Sequence, residues 1–109
     1  MVSGTGDVQP GSVQTPNWTV GGDLTVGDTA TGALTIDAGA TVSNDLATIG
    51  NLNGAIGTLT VSGRDGAGAA STWTSTGLVS VGVESGSQGT LKVQAGGQAR
   101  SDAGIIVPR

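Results

Sequence analysis

The side chains that run most acid–base and thiol chemistry are missing from this chain. It contains no His, no Cys and no Tyr. That removes the commonest general bases, the soft metal ligands and several nucleophile pairs. The carboxylates within the repeating part of the chain are Asp23, Asp28, Asp37, Asp45, Asp65, Glu84 and Asp102. A facing pair of them would suit cleavage of a glycoside or a polygalacturonate. Asp45 and Asp102 occupy equivalent repeat positions and would stack. The competing reading is that these are turn residues satisfying nearby backbone amides, and it is the stronger one. Calcium held by an Asp ladder would call for a Gly-Gly-x-Gly-x-Asp nonapeptide, which does not occur. No catalytic, cofactor-binding or metal-binding residue is indicated.

Binding chemistry offers more candidates. Trp18 and Trp73 are the only aromatic residues. Exposed, the pair would stack on a sugar ring or anchor a partner. Buried, each would fill the core or a corner, and the inward Leu24 and Val26 that follow Trp18 favour burial. A second candidate is the small-residue insertion Arg64-Asp65-Gly66-Ala67-Gly68-Ala69-Ala70, because loops between uniform strands carry variable function. Arg64-Asp65 does not form an integrin-type triplet. Thr25, Thr35, Thr41, Thr48 and Thr60 are expected to face outward, which raises an ice-binding alternative. Lys92 interrupts that array, and Thr is an ordinary exposed-strand residue. Asn17-Trp18-Thr19 matches a glycosylation sequon, a weak three-residue pattern.

The elements that hold these residues follow from composition. Gly is 21 of 109 residues and Pro only 3, without the Gly-X-Y period of collagen. Charged residues make up 11%, which does not fit a charge-rich disordered chain. Abundant Thr and Val between glycines favours many short strands. The net charge is -4, with Arg64, Lys92, Arg100 and Arg109 scattered along the chain. No nucleic-acid partner and no membrane insertion of this segment are expected. Met1 followed by a Ser/Gly-rich stretch reads as an excised piece with an added start.

The strongest signal is internal repetition. Ile49 to Val61 returns from Val81 to Val93, with Gly50, Gly54, Gly57, Thr58 and Leu59 recurring as Gly82, Gly86, Gly89, Thr90 and Leu91. A shorter version runs from Val26 to Ile36. Trp18 and Trp73 align at an offset of 55 residues, so each long repeat holds two sub-repeats. The apolar–polar–apolar runs at Leu24–Val26, Leu34–Ile36, Ala47–Ile49, Leu59–Val61 and Leu91–Val93 place two apolar residues on one face. Strands that short suit stacked coils, each covered by its neighbours above and below. The expected fold is an all-β parallel β-helix (β-solenoid) of roughly four short coils over residues 18–109. Residues 1–17 are expected to form a loose arm or a partial first coil. Glycines, with Asn44, Asn51 and Asn53, are expected to take left-handed corners.

Ser71-Thr72-Trp73-Thr74, Val81-Gly82, Gly89-Thr90-Leu91, Gly96-Gly97, Ile49-Gly50 and Gly57-Thr58-Leu59-Thr60-Val61-Ser62-Gly63 together resemble a known repeat. It is the β-helix repeat of bacterial autotransporter passenger domains and of related proteins with an exosortase-type sorting signal. The resemblance covers residues 18 to about 107. It departs where Pro16-Asn17 replaces Ser-Thr and at Gly39-Ala40. It implies a right-handed parallel β-helix exported to the bacterial outer surface and a role as a stalk or adhesin scaffold, with a host-cell surface or a glycan as partner. It carries over no catalytic residue. A polysaccharide-active enzyme on the same scaffold is the alternative. Uncapped ends of such a stack imply end-to-end pairing between copies.

Overall fold

The structure is a computed structural model that describes residues 2–9, 17–20, 22–84 and 86–106. It is all-β, with three sheets and no helix among the described residues. β3 (Asn17–Thr19), β6 (Thr41–Asn44), β9 (Thr72–Ser75) and β12 (Gln98–Ser101) build the first sheet. β4 (Leu24–Val26), β7 (Ala47–Ile49), β10 (Val79–Val81) and β13 (Ile105–Ile106) lie in the second. β5 (Thr31–Ile36), β8 (Ile56–Ser62) and β11 (Gln88–Gln94) lie in the third. Every pairing among these strands is parallel. From β3 onward the chain visits the three sheets in one fixed order. It does so three times in full, then again as far as β13. We call each visit a layer.

Alternation decides which side chains enter the core. Along β8, Leu59 and Val61 are wholly buried while Thr58 and Thr60 are half-buried on the outer face. Register then lines up like residues between layers. Leu34, Leu59 and Leu91 are paired in sequence, as are Ile36, Val61 and Val93. Leu24, Ala47, Val79 and Ile105 form the matching row of the second sheet. A fully buried aliphatic side chain of this kind contributes about 1.5–3 kcal/mol relative to exposure, and no layer can bury its own row alone.

The first sheet explains the long repeat. Trp18 pairs with Val42, and Val42 pairs with Trp73. The offset between the tryptophans is therefore two layers, and Trp alternates with a smaller residue along the row. Trp18 is 3% exposed and Trp73 0%. This overturns the exposed-aromatic reading of Trp18 and Trp73: both rings lie inward, in line with the core row.

Glycines take left-handed corners as expected, Gly27, Gly50, Gly54, Gly82 and Gly86 among them, but the asparagines do not. None of Asn44, Asn51 and Asn53 has a positive φ; among the described residues the non-glycine residues that do are Ala38 (φ 54) and Ala95 (φ 52). Each precedes a positive-φ glycine, and the Ala40 N–H donates to the Asp37 carbonyl at 3.1 Å across the first of these turns. Two consecutive positive φ values closed by such a bond define a type I′ turn. Ala38 is exposed, so its methyl group makes no core contact, while left-handed backbone at a non-glycine costs about 1–2 kcal/mol. Ala38→Gly is expected to stabilise the fold by about 0.5–1 kcal/mol after its larger unfolded-state entropy. Urea denaturation checks this, and a loss of stability would contradict it.

The N-terminal residues are not a loose arm over 2–9. β1 (Val2–Gly6) pairs antiparallel with β5, and β2 (Val8–Gln9) pairs antiparallel with β4. Val2 sits over Ile36 and Val8 over Val26, and both are buried. Asp7, between the two strands, fastens them to the first layer. Its Oδ2 accepts the N–H groups of Asp28, Thr29 and Ala30 at 3.0, 2.8 and 3.1 Å. Residues 1 and 10–16 of the 1–17 segment lie outside the described residues. Asp7→Ala is expected to cost about 1–2 kcal/mol, since hydrogen bonds to a charged acceptor exceed neutral ones but two of these amides are exposed. Faster amide exchange at residues 28–30 would accompany the loss.

Candidate functional site

The insertion after β8 is the largest departure from the layer pattern. In the first layer, the turn Ala38–Gly39 links the third sheet back to the first. In the second layer residues 63–70 make that connection, and in the third it is Ala95–Gly96 again. The insertion is closed at its base by an antiparallel bridge between Arg64 and Ala70. Ser71, wholly buried, donates its N–H to the Gly63 carbonyl at 3.0 Å. Its hydroxyl accepts from the Gly39 N–H at 2.9 Å.

Asp65 shapes the insertion from within. Its Oδ1 accepts from the Ala67 and Ala69 amides at 2.8 and 2.9 Å. Arg64 Nη1 donates to the Gly68 carbonyl at 3.1 Å. A side chain at Gly39 would meet Asp65 Cβ at 2.6 Å, and one at Gly96 would meet Arg64 Nε at 2.7 Å. The insertion is thus seated between two type I′ turns, and small residues on either side make room for it. Residues 64–69 are exposed. The surface they offer is a guanidinium, backbone amides and methyl groups, with the one carboxylate turned to the loop's own backbone.

Carboxylates elsewhere do similar local work. Asp28 Oδ1 accepts from Asn51 Nδ2 at 2.7 Å, joining corresponding corners of two layers. Glu84 Oε1 accepts from the Asn53 amide at 3.3 Å. Asp45 and Asp102 are not stacked neighbours. Asn44, Ser75 and Ser101 are in register, so Thr76 occupies the row between the two acids, and its hydroxyl lies 3.5 Å from Asp45 Oδ1. Asp102 lies 3.6 Å from Arg100 Nε, an exposed ion pair of small energetic worth. Among the described residues no three His, Cys, Asp or Glu side chains gather where a metal ion would sit.

A shallow groove of about 380 Å³ runs along Val20, Ser43, Asn44, Asp45 and Thr76. It has one carboxylate and no basic residue. Beneath it lies a buried polar row. Asn44 Nδ2 donates to the Asp45 and Leu46 carbonyls at 3.1 and 3.0 Å, and lies 3.2 Å from Ser75 Oγ. Asn44 Oδ1 accepts from the Trp73 indole N–H at 2.7 Å. Among the described residues no buried side-chain nitrogen or oxygen lacks a partner. This row is structural: it satisfies carbonyls where the chain turns from the first sheet to the second.

Thr35, Thr60 and Lys92 share one row of the third sheet, and Ala33, Thr58 and Thr90 the next. Lys92 therefore interrupts the threonine array in space as it does in sequence. Two polar residues carry structural roles that sequence reasoning missed: Asp7, which drew no expectation, and Asn44, which was expected at a left-handed corner. Gly6-Asp7 repeats Gly27-Asp28, with positive φ at both glycines, and Asn44, Ser75 and Ser101 recur at one strand end. Both were available signals. No protein-family model, curated protein or solved structure matches the chain.

Proposed function

We propose that the chain is a β-solenoid serving as a structural and interaction module, a stalk or adhesin scaffold of an exported bacterial surface protein. The observation that carries this reading is the fixed rotation through three parallel sheets with like residues in register. Parallel strands joined by crossovers wind right-handed in nearly all proteins, which supports a right-handed coil. The scaffold role is supported by how the polar groups are used. Asp7, Asp28, Asp65 and Glu84 all bind turns within the chain. A polysaccharide-active site would need a concave carboxylate pair with nearby cations, and the registers bring no such pair together.

The partner surface in this reading is the Arg64–Ala70 insertion, and the partner is a glycan or a host-cell surface. Replacing residues 64–70 by a short Gly-Ser link is expected to leave the melting temperature within a few degrees, because no core side chain is removed. Binding to a glycan array or to host cells is expected to be lost. Binding that persists unchanged would place the partner site elsewhere, and turnover of a glycan by the parent chain would contradict the scaffold reading.

A further inference from the structure

Asn17-Trp18-Thr19 is the one place in the chain where an Asn is followed two residues later by Ser or Thr; Asn44, Asn51 and Asn53 are not. The repeat does not call for Asn here. The residues in register with Asn17 are Thr41, Thr72 and Gln98, and the copy headed by Trp73 has Thr in the same place. Strand alternation then sorts the three side chains. Trp18 enters the core, while Asn17 and Thr19 are both exposed on the outer face of β3. The two residues that an Asn-x-Ser/Thr pattern requires therefore share one open surface, and the residue between them is out of the way.

We propose that Asn17 is a site of N-linked glycosylation. Its carboxamide is held in a way that leaves the reacting atom free. Oδ1 accepts from the Thr41 N–H at 3.2 Å and from the Thr41 hydroxyl at 2.9 Å. A backbone N–H can only donate, so the oxygen is the atom that faces Thr41. Among the described residues Nδ2 has no partner, and neither has the Thr19 hydroxyl. The first layer thus grips Asn17 by its oxygen alone and presents its nitrogen.

In the reaction Nδ2 forms a bond to C1 of a sugar activated as its diphosphate. The bond from C1 to the phosphate oxygen breaks, and its electron pair leaves with the diphosphate. One amide proton passes to a base of the transferase. Oδ1 is unchanged, so both contacts to Thr41 survive in the product. The added bulk lies on the outer face of β3, and the inward row of Trp18, Val42 and Trp73 is untouched. Glycosylation here needs neither the Arg64–Ala70 insertion nor the scaffold role.

A purified soluble N-glycosyltransferase that reads Asn-x-Ser/Thr, with UDP-glucose as donor, tests the site on the folded chain by intact mass. The parent is expected to gain one hexose, placed at Asn17 by fragmentation. Asn17→Gln and Thr19→Ala are expected to gain none, and Thr19→Ser to gain one as the parent does. Thr19→Ala keeps Asn17 and its bonds to Thr41, so its loss of modification at an unchanged melting temperature belongs to recognition and not to unfolding. No hexose on the parent, hexose on another asparagine, addition only to the chain held in urea, or full modification of Thr19→Ala would overturn the proposal. Loss of amide protection in β3 and β6 of the hexosylated chain would overturn it too, since the sugar would then have displaced the Thr41 contacts.

Discussion

Gly57→Ala is expected to destabilise the fold by more than about 3 kcal/mol, at the upper end for an inserted methyl group. Gly57 lies inward in β8, buried, between Gly32 and Gly89 in the same row. A Cβ there would lie 2.0 Å from the Val26 carbonyl oxygen and 2.6 Å from the Gly50 amide nitrogen. Those two atoms are hydrogen-bonded to each other at 2.8 Å, from one layer to the next. The space a side chain would take is thus filled by an interlayer bond between backbone atoms, which cannot swing aside. A contact at 2.0 Å must be relieved by moving β4 or the corner at Gly50. Gly66→Ala is the control, because nothing lies within 4 Å of its Cβ and its φ is not left-handed. It should change stability by no more than about 0.5 kcal/mol. Urea midpoints for the two variants, measured side by side, check the contrast; equal stability would contradict it.

Trp73→Ala is expected to cost about 3–5 kcal/mol, as for other large-to-small changes in a closed core. Trp73 is wholly buried and sits in the central part of its row, between Val42 and Ala99. It also completes the polar row, since its indole donates to Asn44 Oδ1. Trp73→Phe separates the two contributions. It keeps most of the ring volume but leaves Asn44 Oδ1 without that donor at a buried position, for about 1–3 kcal/mol. Thermal or urea unfolding of both variants gives the comparison. A Phe variant as stable as the parent would mean that the Trp73–Asn44 bond contributes nothing net.

These two residues show what the sequence made legible and where it stopped. The recurrence of Gly50 and Gly57 as Gly82 and Gly89 marked them as parts of a stacking unit. Short alternating runs marked the inward rows, and Leu24–Val26 and Ala47–Ile49 coincide with β4 and β7. What repetition could not reveal was contact between dissimilar residues. Trp18 and Trp73 looked like a pair, yet each rests on Val42, because the row alternates large and small. Asn44 read as a corner residue because Asn tolerates left-handed backbone. Its amide instead points inward, where three carbonyl and indole partners fix it.

The N-terminal strands were hidden for a related reason. Val2–Gly6 and Val8–Gln9 carry few apolar residues, and nothing in their own sequence requires them to be strands. They form where β5 and β4 present an edge, and Asp7 anchors them to amides more than twenty residues away. The antiparallel direction breaks the repeat, so the match of Gly6-Asp7 to Gly27-Asp28 marks the Asp7 corner but not the strands on either side of it. The same lesson applies to the left-handed turns. Ala38 and Ala95 are poor intrinsic choices for positive φ, and the layer geometry imposes that conformation on them.

Stacking of unlike-numbered but like-placed residues is the claim on which everything else depends. Nuclear Overhauser contacts in the isotope-labelled chain measure it most directly. The account predicts contacts from the Leu59 methyl groups to both Leu34 and Leu91, and from the Trp73 ring to Val42 and Ala99. Contacts joining β7 to β8 or β10 to β11 as antiparallel hairpins, without the Leu34–Leu59–Leu91 series, would contradict it.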